Sequence, residues 1–148
     1  MSYPVRLYAQ IFPTDELQNQ IRCTCEKILG LKEGTLSEDA VSSVDTIQLH
    51  SGTWYHAYWL MDALREEAVW CSDDGNGDEC EVTPDGLRSV LQKCEAVLAD
   101  HSKADDLLPY DFMDEDEYLA SVKEVAEDLK KVLDLYGDKI DYYRVSLG

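Results

Sequence analysis

The chain has 148 residues, 31 acidic and 13 basic, for a formal charge of −18 with histidine neutral, and 45% of its positions are hydrophobic. At this length folding buries roughly 68–70% of the unfolded surface, enough for one domain with its own core. Eight glycines, four prolines and no apolar run long enough to span a bilayer exclude a collagen-like, membrane-spanning or wholly disordered chain.

In chain order, Tyr3, Val5, Leu7, Ala9 and Ile11 alternate as a strand does. Thr14 then caps a short amphipathic helix that opens on Asp15 and Glu16, aligns Leu17, Ile21, Cys25 and Ile28, and stops at Gly30. Val44 to His50 is β-prone. A second helix is expected from about Trp54 to Val69, apolar around most of its circumference and therefore central. After a short strand at Cys80–Val82, Thr83 and Pro84 open a third helix, with Leu87, Val90, Leu91, Cys94, Val97 and Leu98 facing inward and an end near Asp100 to Ser102. The fourth, about Asp114 to Tyr136, carries two apolar rows and ends at Gly137; Ile140 to Val145 then reads as a strand. Helices outnumber strands without alternating with them. The expected fold is α+β, mainly helical, with about four helices packed on a small antiparallel sheet in a single acidic domain, 1–148.

Such an excess of carboxylate repels phosphate backbones and anionic lipid, and attracts basic protein surfaces within a Debye length of ~8 Å. Neither nucleic acid nor membrane is expected as a direct partner, although the same charge also serves solubility alone. Met1 to Phe12 lacks the basic and apolar regions of a secretory signal, so a cytoplasmic location is expected. Cys23, Cys25, Cys71, Cys80 and Cys94, an odd number, fit a reducing compartment and are expected as thiols.

The acids are unevenly placed. Glu66, Glu67, Asp73, Asp74, Asp78, Glu79, Glu81 and Asp85 fall within residues 66–85, and Asp105, Asp106, Asp111, Asp114, Glu115, Asp116 and Glu117 within 105–117, with no lysine or arginine in either stretch. Residues three or four apart on a helix stand roughly 5–6 Å apart, and duplex DNA carries a charge per ~1.7 Å of axis, so carboxylate rows can imitate phosphate rows. The competing reading is structural: Asp114 to Glu117 suit a helix N-terminus, and Asp73 to Glu79 a solvated turn. Tyr110 and Phe112 stand between acids and serve either as apolar anchors for a partner or as core residues after Pro109.

Metal and catalytic patterns fail. If Asp74, Asn76 and Asp78 are the first ligands of a calcium loop, Glu79 falls where glycine is required and Asp85 where glutamate is. The cysteines and His50, His56 and His101 have no zinc spacing, and there is no nucleophile elbow, phosphate loop or dinucleotide fingerprint. No metal, cofactor or catalytic residue is therefore assigned. The alternative is a small enzyme or nucleotide-binding protein whose pocket gathers dispersed residues such as His50, His56 and Tyr58, and a third reading is self-association.

Ile47, Gln48 and Leu49 followed by Trp54, Tyr55, His56, Ala57, Tyr58, Trp59 and Leu60 resemble a segment of a family of small phage and prophage proteins of uncharacterised function. The stretch from Leu91 through Cys94, Val97, Asp100 and His101 to Leu107, Leu108 and Pro109 is similar to that family's helix and Leu-Leu-Pro turn. Glu117, Tyr118, Tyr142 and Tyr143 fit its last helix and carboxyl-terminal Tyr-Tyr strand. Met61 and Ala63 stand where the family usually has His and Trp, so no role of that His carries over. The resemblance, over about residues 44–147, implies phage origin and action inside a bacterium, and no activity. Joined to the charge, it gives the expectation of a non-catalytic protein that docks on a basic surface of a host protein. It would act there as a nucleic-acid mimic or as an inhibitor of a defence or nucleic-acid-handling factor. The docking residues would be Asp73, Asp74, Asp78, Glu79, Glu81, Asp105, Asp106, Tyr110, Asp111, Phe112 and Asp114 to Glu117.

Overall fold

A computed structural model describes residues 3–41, 46–72 and 79–148. It divides the chain, read from sequence as one domain, into two compact units, Met1–Ala9 with Leu49–Gly148 and Gln10–Gln48. The described residues form five helices, where about four were expected, and a five-stranded antiparallel sheet; the fold is α+β and mainly helical.

The sheet has the order β2-β1-β5-β4-β3, with β1 Val5–Ile11, β2 Ile47–Trp54, β3 Trp70–Cys71, β4 Glu79–Val82 and β5 Tyr142–Leu147. Alternation decides what each strand buries: Val5, Leu7 and Ala9 on β1, Cys80 and Val82 on β4, Tyr143 and Val145 on β5. Burial pushes the Tyr143 phenol up to about 12.

Helix α2 runs from Tyr58 to Glu67, α3 from Pro84 to Ala99, α4 from Ala104 to Leu107 and α5 from Glu115 to Leu135. Helix α3 touches α2, α5 and strands β4 and β5, which makes it the middle of the larger unit. Its start is as the sequence predicts: Pro84 occupies the first turn and Thr83 Oγ1 accepts the N–H of Gly86 at 3.1 Å. Gly86 is required, because a Cβ there would meet Val82 Cγ1 at 2.7 Å and the Glu67 carbonyl at 3.3 Å. The extra helix, α4, is a single turn that follows a 3-10 turn at His101–Lys103, capped by Asp100, whose carboxylate accepts the Ser102 N–H and hydroxyl.

The second helix starts later than its apolar run suggests. Trp54 is the last residue of β2, and its buried indole N–H donates to Asp128 Oδ2 on α5 at 2.7 Å. Gly52, two residues earlier on the same face, lies under that ring: a Cβ would sit 2.7 Å from the indole. Glycine at that position therefore lets the indole lie across the strand. The chain then turns at His56, with φ 58°, and α2 begins at Tyr58, burying Trp59, Leu60, Met61, Ala63 and Leu64. The β-prone stretch read from Val44 becomes a strand only at Ile47; Val44 and Asp45 lie outside the described residues.

The smaller unit holds helix α1, Asp15–Leu29, bounded as expected by Thr14, whose Oγ1 accepts the Leu17 N–H, and by left-handed Gly30. Its apolar face departs from the expectation. Leu17, Ile21 and Cys25 are half-buried, Ile28 is 77% exposed, and the residue buried on this helix is Glu26. After Gly30 the chain folds back over Glu26: the Leu31 N–H donates to its carbonyl at 2.8 Å and the Leu36 N–H to its carboxylate at 2.9 Å. The hydrogen bond from Leu36 holds the carboxyl below its ordinary range, against the opposing effect of burial.

Candidate interaction site

A cavity of about 430 Å³ opens in the larger unit between the start of α2 and the loop that joins α4 to α5. Tyr58, Trp59, Tyr110 and Phe112 make part of its lining aromatic, and Tyr118 packs behind Trp59 and Tyr110. Tyr118, on the first turn of α5, is fully buried and donates its hydroxyl to the Leu108 carbonyl at 2.7 Å, which ties the loop to the helix. The ring of Tyr110 stacks on Tyr118, with centroids 3.7 Å apart, and Trp59 from α2 meets it edge-on at 5.8 Å. Trp59 is fixed in turn, its indole N–H donating to Ser121 Oγ at 2.8 Å while that hydroxyl donates to the Tyr118 carbonyl.

The wall is acidic. Asp62, Asp111 and Glu117 line the cavity beside His56, Tyr58, Tyr110 and Phe112, and no lysine or arginine is among the described lining residues. Asp62 is paired on the outside with Arg65, one turn along α2, at 3.2 Å. The Tyr110 phenol is pushed above its usual range, first by burial and then by Glu115, Asp105 and Asp114, so these carboxylates bear on the same ring. Tyr118 is likewise raised, chiefly by burial.

The two non-glycine residues with positive φ among the described positions, His56 at 58° and Phe112 at 59°, both line this cavity. The left-handed region costs a residue with a Cβ roughly 1–2 kcal/mol. His56 makes the turn that starts α2. Phe112 has no such return within the fold, because its ring is fully exposed and buries nothing.

The two acidic stretches have different fates. In the first, Lys93 lies 3.4 Å from Glu66 and 3.5 Å from Glu67, Arg88 lies 2.8 Å from Asp85, and Arg144 pairs with Glu79 across β4 and β5. Glu79 and Glu81 are half-buried on β4, outside the cavity lining, and Asp73, Asp74 and Asp78 lie outside the described residues. Lys93 and Arg144, distant in sequence, have been folded onto this stretch, and Arg88 reaches Asp85 from one turn along the same helix. In the second, Asp105, Asp106, Asp111, Asp114, Glu115, Asp116 and Glu117 are all exposed, and no ion pair among the described residues involves them. Part of that stretch has a local explanation, since Glu115, Asp116 and Glu117 occupy the first turn of α5, where the helix dipole favours them by ~0.3–1 kcal/mol each. Asp111, in the loop, has none.

The structure therefore brings Tyr110, Asp111, Phe112 and Glu117 together in one wall, as neighbours in sequence suggest, and adds His56, Tyr58, Trp59, Asp62 and Met113, which sequence reasoning did not connect to them. His50, grouped with His56 and Tyr58 in the alternative pocket, is elsewhere: its Nε2 is 2.6 Å from Thr53 Oγ1 and its ring meets Tyr8 edge-on. No helix among the described residues is long and apolar enough to cross a membrane. Compared with protein-family models, characterised proteins and solved structures, the chain matches none.

Proposed function

We propose that this protein is a non-catalytic binding protein that docks on a basic protein surface through the face carrying the cavity, and that the cavity receives a lysine or arginine side chain of the partner. The observation that carries the reading is the wall itself: Tyr110, Trp59 and Phe112 stand with Asp111 and Glu117, and no cation of the described chain neutralises those two acids. A guanidinium over an aromatic ring beside a carboxylate gains both cation–π attraction and a charge-assisted hydrogen bond. Phe112, held in solvent at a backbone cost, supplies the apolar anchor such interfaces use. The resemblance to phage-encoded proteins makes a bacterial host protein the expected partner, with nucleic-acid mimicry or inhibition as the consequence.

His56 and Tyr58 also line the cavity, as the nucleotide-binding alternative would have it. The Tyr58 hydroxyl already accepts the Tyr3 N–H at 3.0 Å, and phosphates would face three carboxylates, which disfavours that occupant.

The test is titration with an arginine-rich peptide, with ATP as the anionic comparison. Binding of the peptide should weaken at least about tenfold between about 50 and about 500 mM salt, as screening of exposed charge requires. The double substitution Asp111→Asn with Glu117→Gln should weaken it far more than Glu127→Gln with Asp134→Asn, which removes the same charge from the outer side of α5. Equal effects of the two pairs would reduce the interaction to net charge and overturn the cavity as its site; binding of ATP in preference to the peptide would favour the alternative.

A further inference from the structure

We propose that Cys71 and Cys80 are the site of a reversible disulfide that fastens the edge strand β3 to β4. The two residues are register partners on antiparallel strands, and their Sγ atoms lie 2.6 Å apart. That is roughly half an ångström beyond a sulfur–sulfur bond of ~2.05 Å.

The backbone supports the pairing independently of the side chains. Opposite residues in an antiparallel pair alternate between hydrogen-bonded and non-hydrogen-bonded sites. The Ser72 N–H donates to the Glu79 carbonyl at 2.8 Å, so Ser72 and Glu79 form a bonded pair and Cys71 and Cys80 the adjacent non-bonded one. At such sites Cα atoms stand ~4.5 Å apart, inside the range a disulfide spans. The other cysteines offer no such partner: Cys23 and Cys25 are two apart on α1 and point to different sides, and Cys94 is buried in α3.

Access is also unequal in the required way, since Cys71 is half-buried and Cys80 buried. The co-reactant is a low-molecular-weight disulfide. The Cys71 thiol loses its proton to solvent and attacks one sulfur of that disulfide, releasing a thiolate that takes up a proton. The Cys80 thiol, losing its proton in turn, attacks Cys71 Sγ and expels the second small thiol. Two protein thiols are oxidised, one small disulfide is reduced to two thiols, and no other electron acceptor is needed. A reducing compartment keeps the pair as thiols, consistent with the expectation from the odd cysteine count; an oxidising excursion closes it. Strand β3 is two residues long and lies at the end of the sheet, so the bond would hold the strand least secured by its own ladder.

The test uses the intact protein equilibrated with glutathione and glutathione disulfide, denatured, alkylated and weighed. When the disulfide form is in about hundredfold excess, alkylatable thiols should fall from five to three with no glutathione bound to the protein, and peptide mapping should join Cys71 to Cys80. Excess glutathione should restore all five. Cys80→Ser should instead stop at a glutathione adduct on Cys71. Five thiols under every ratio, or a bond that joins any other pair, overturns the proposal.

Discussion

The ring of Tyr110 lies on the ring of Tyr118 with planes 12° from parallel, and the hydroxyl of Tyr118 is bonded to the backbone two residues before Tyr110, at Leu108. Loop and helix are therefore joined by two contacts of different chemistry. Tyr118→Phe keeps the stack but strands the buried Leu108 carbonyl, a loss of about 1–3 kcal/mol. Tyr110→Ala keeps the hydrogen bond and removes the stack, worth about 0.5–1.5 kcal/mol beyond buried area. Urea denaturation should show both variants destabilised, and peptide titration should show only the second losing affinity.

Phe112→Gly should raise stability by about 1 kcal/mol, since the left-handed backbone no longer carries a side chain and no burial is lost. The same variant should bind the arginine-rich peptide more weakly. Thermal unfolding and titration on one preparation separate the effects; a drop in both would mean that the ring packs in the free protein.

Trp54 and Asp128 make a buried-edge hydrogen bond that Asn can replace and Ala cannot. Asp128→Ala should cost about 1–3 kcal/mol and Asp128→Asn much less, as read by chemical denaturation. Gly52→Ala should be destabilising by a similar ~1–3 kcal/mol, the usual result of forcing a methyl into a filled space, because its Cβ would press on the same indole.

Glu26 gives the smaller unit a pH dependence of definite sign. Its carboxyl is held below the unfolded value by the Leu36 N–H, so its contribution is present above the unfolded pKa and disappears as pH falls through the lower folded one. Exchange of the Leu36 amide, corrected for intrinsic rate, should be slow at neutral pH and lose protection in acid. In Glu26→Gln the protection should be weaker at neutral pH and change little on acidification.

Punctuation was the legible part of this fold. Thr14, Gly30, Thr83 and Pro84 each set a helix end through local chemistry, and local chemistry is what one sequence carries. The start of α2 was not legible, because Trp54 extends a helical pattern as well as it ends a strand, and what decides is the distant Asp128 and the missing Cβ of Gly52. The candidate site was half legible. Tyr110, Asp111, Phe112 and Glu117 are close in sequence and share a wall, whereas Trp59 and Asp62 reach it only through the packing of α2 within the larger unit. Charge runs were the least reliable guide: Glu66, Glu67, Glu79 and Asp85 look unneutralised until Lys93, Arg144 and Arg88 are folded onto them.

The side-chain amide of Gln48 donates to that of Gln10 at 3.1 Å, on neighbouring strands β1 and β2. These are the first and last residues of the smaller unit, so its chain is tied end to end by one amide pair and closes as a loop of its own.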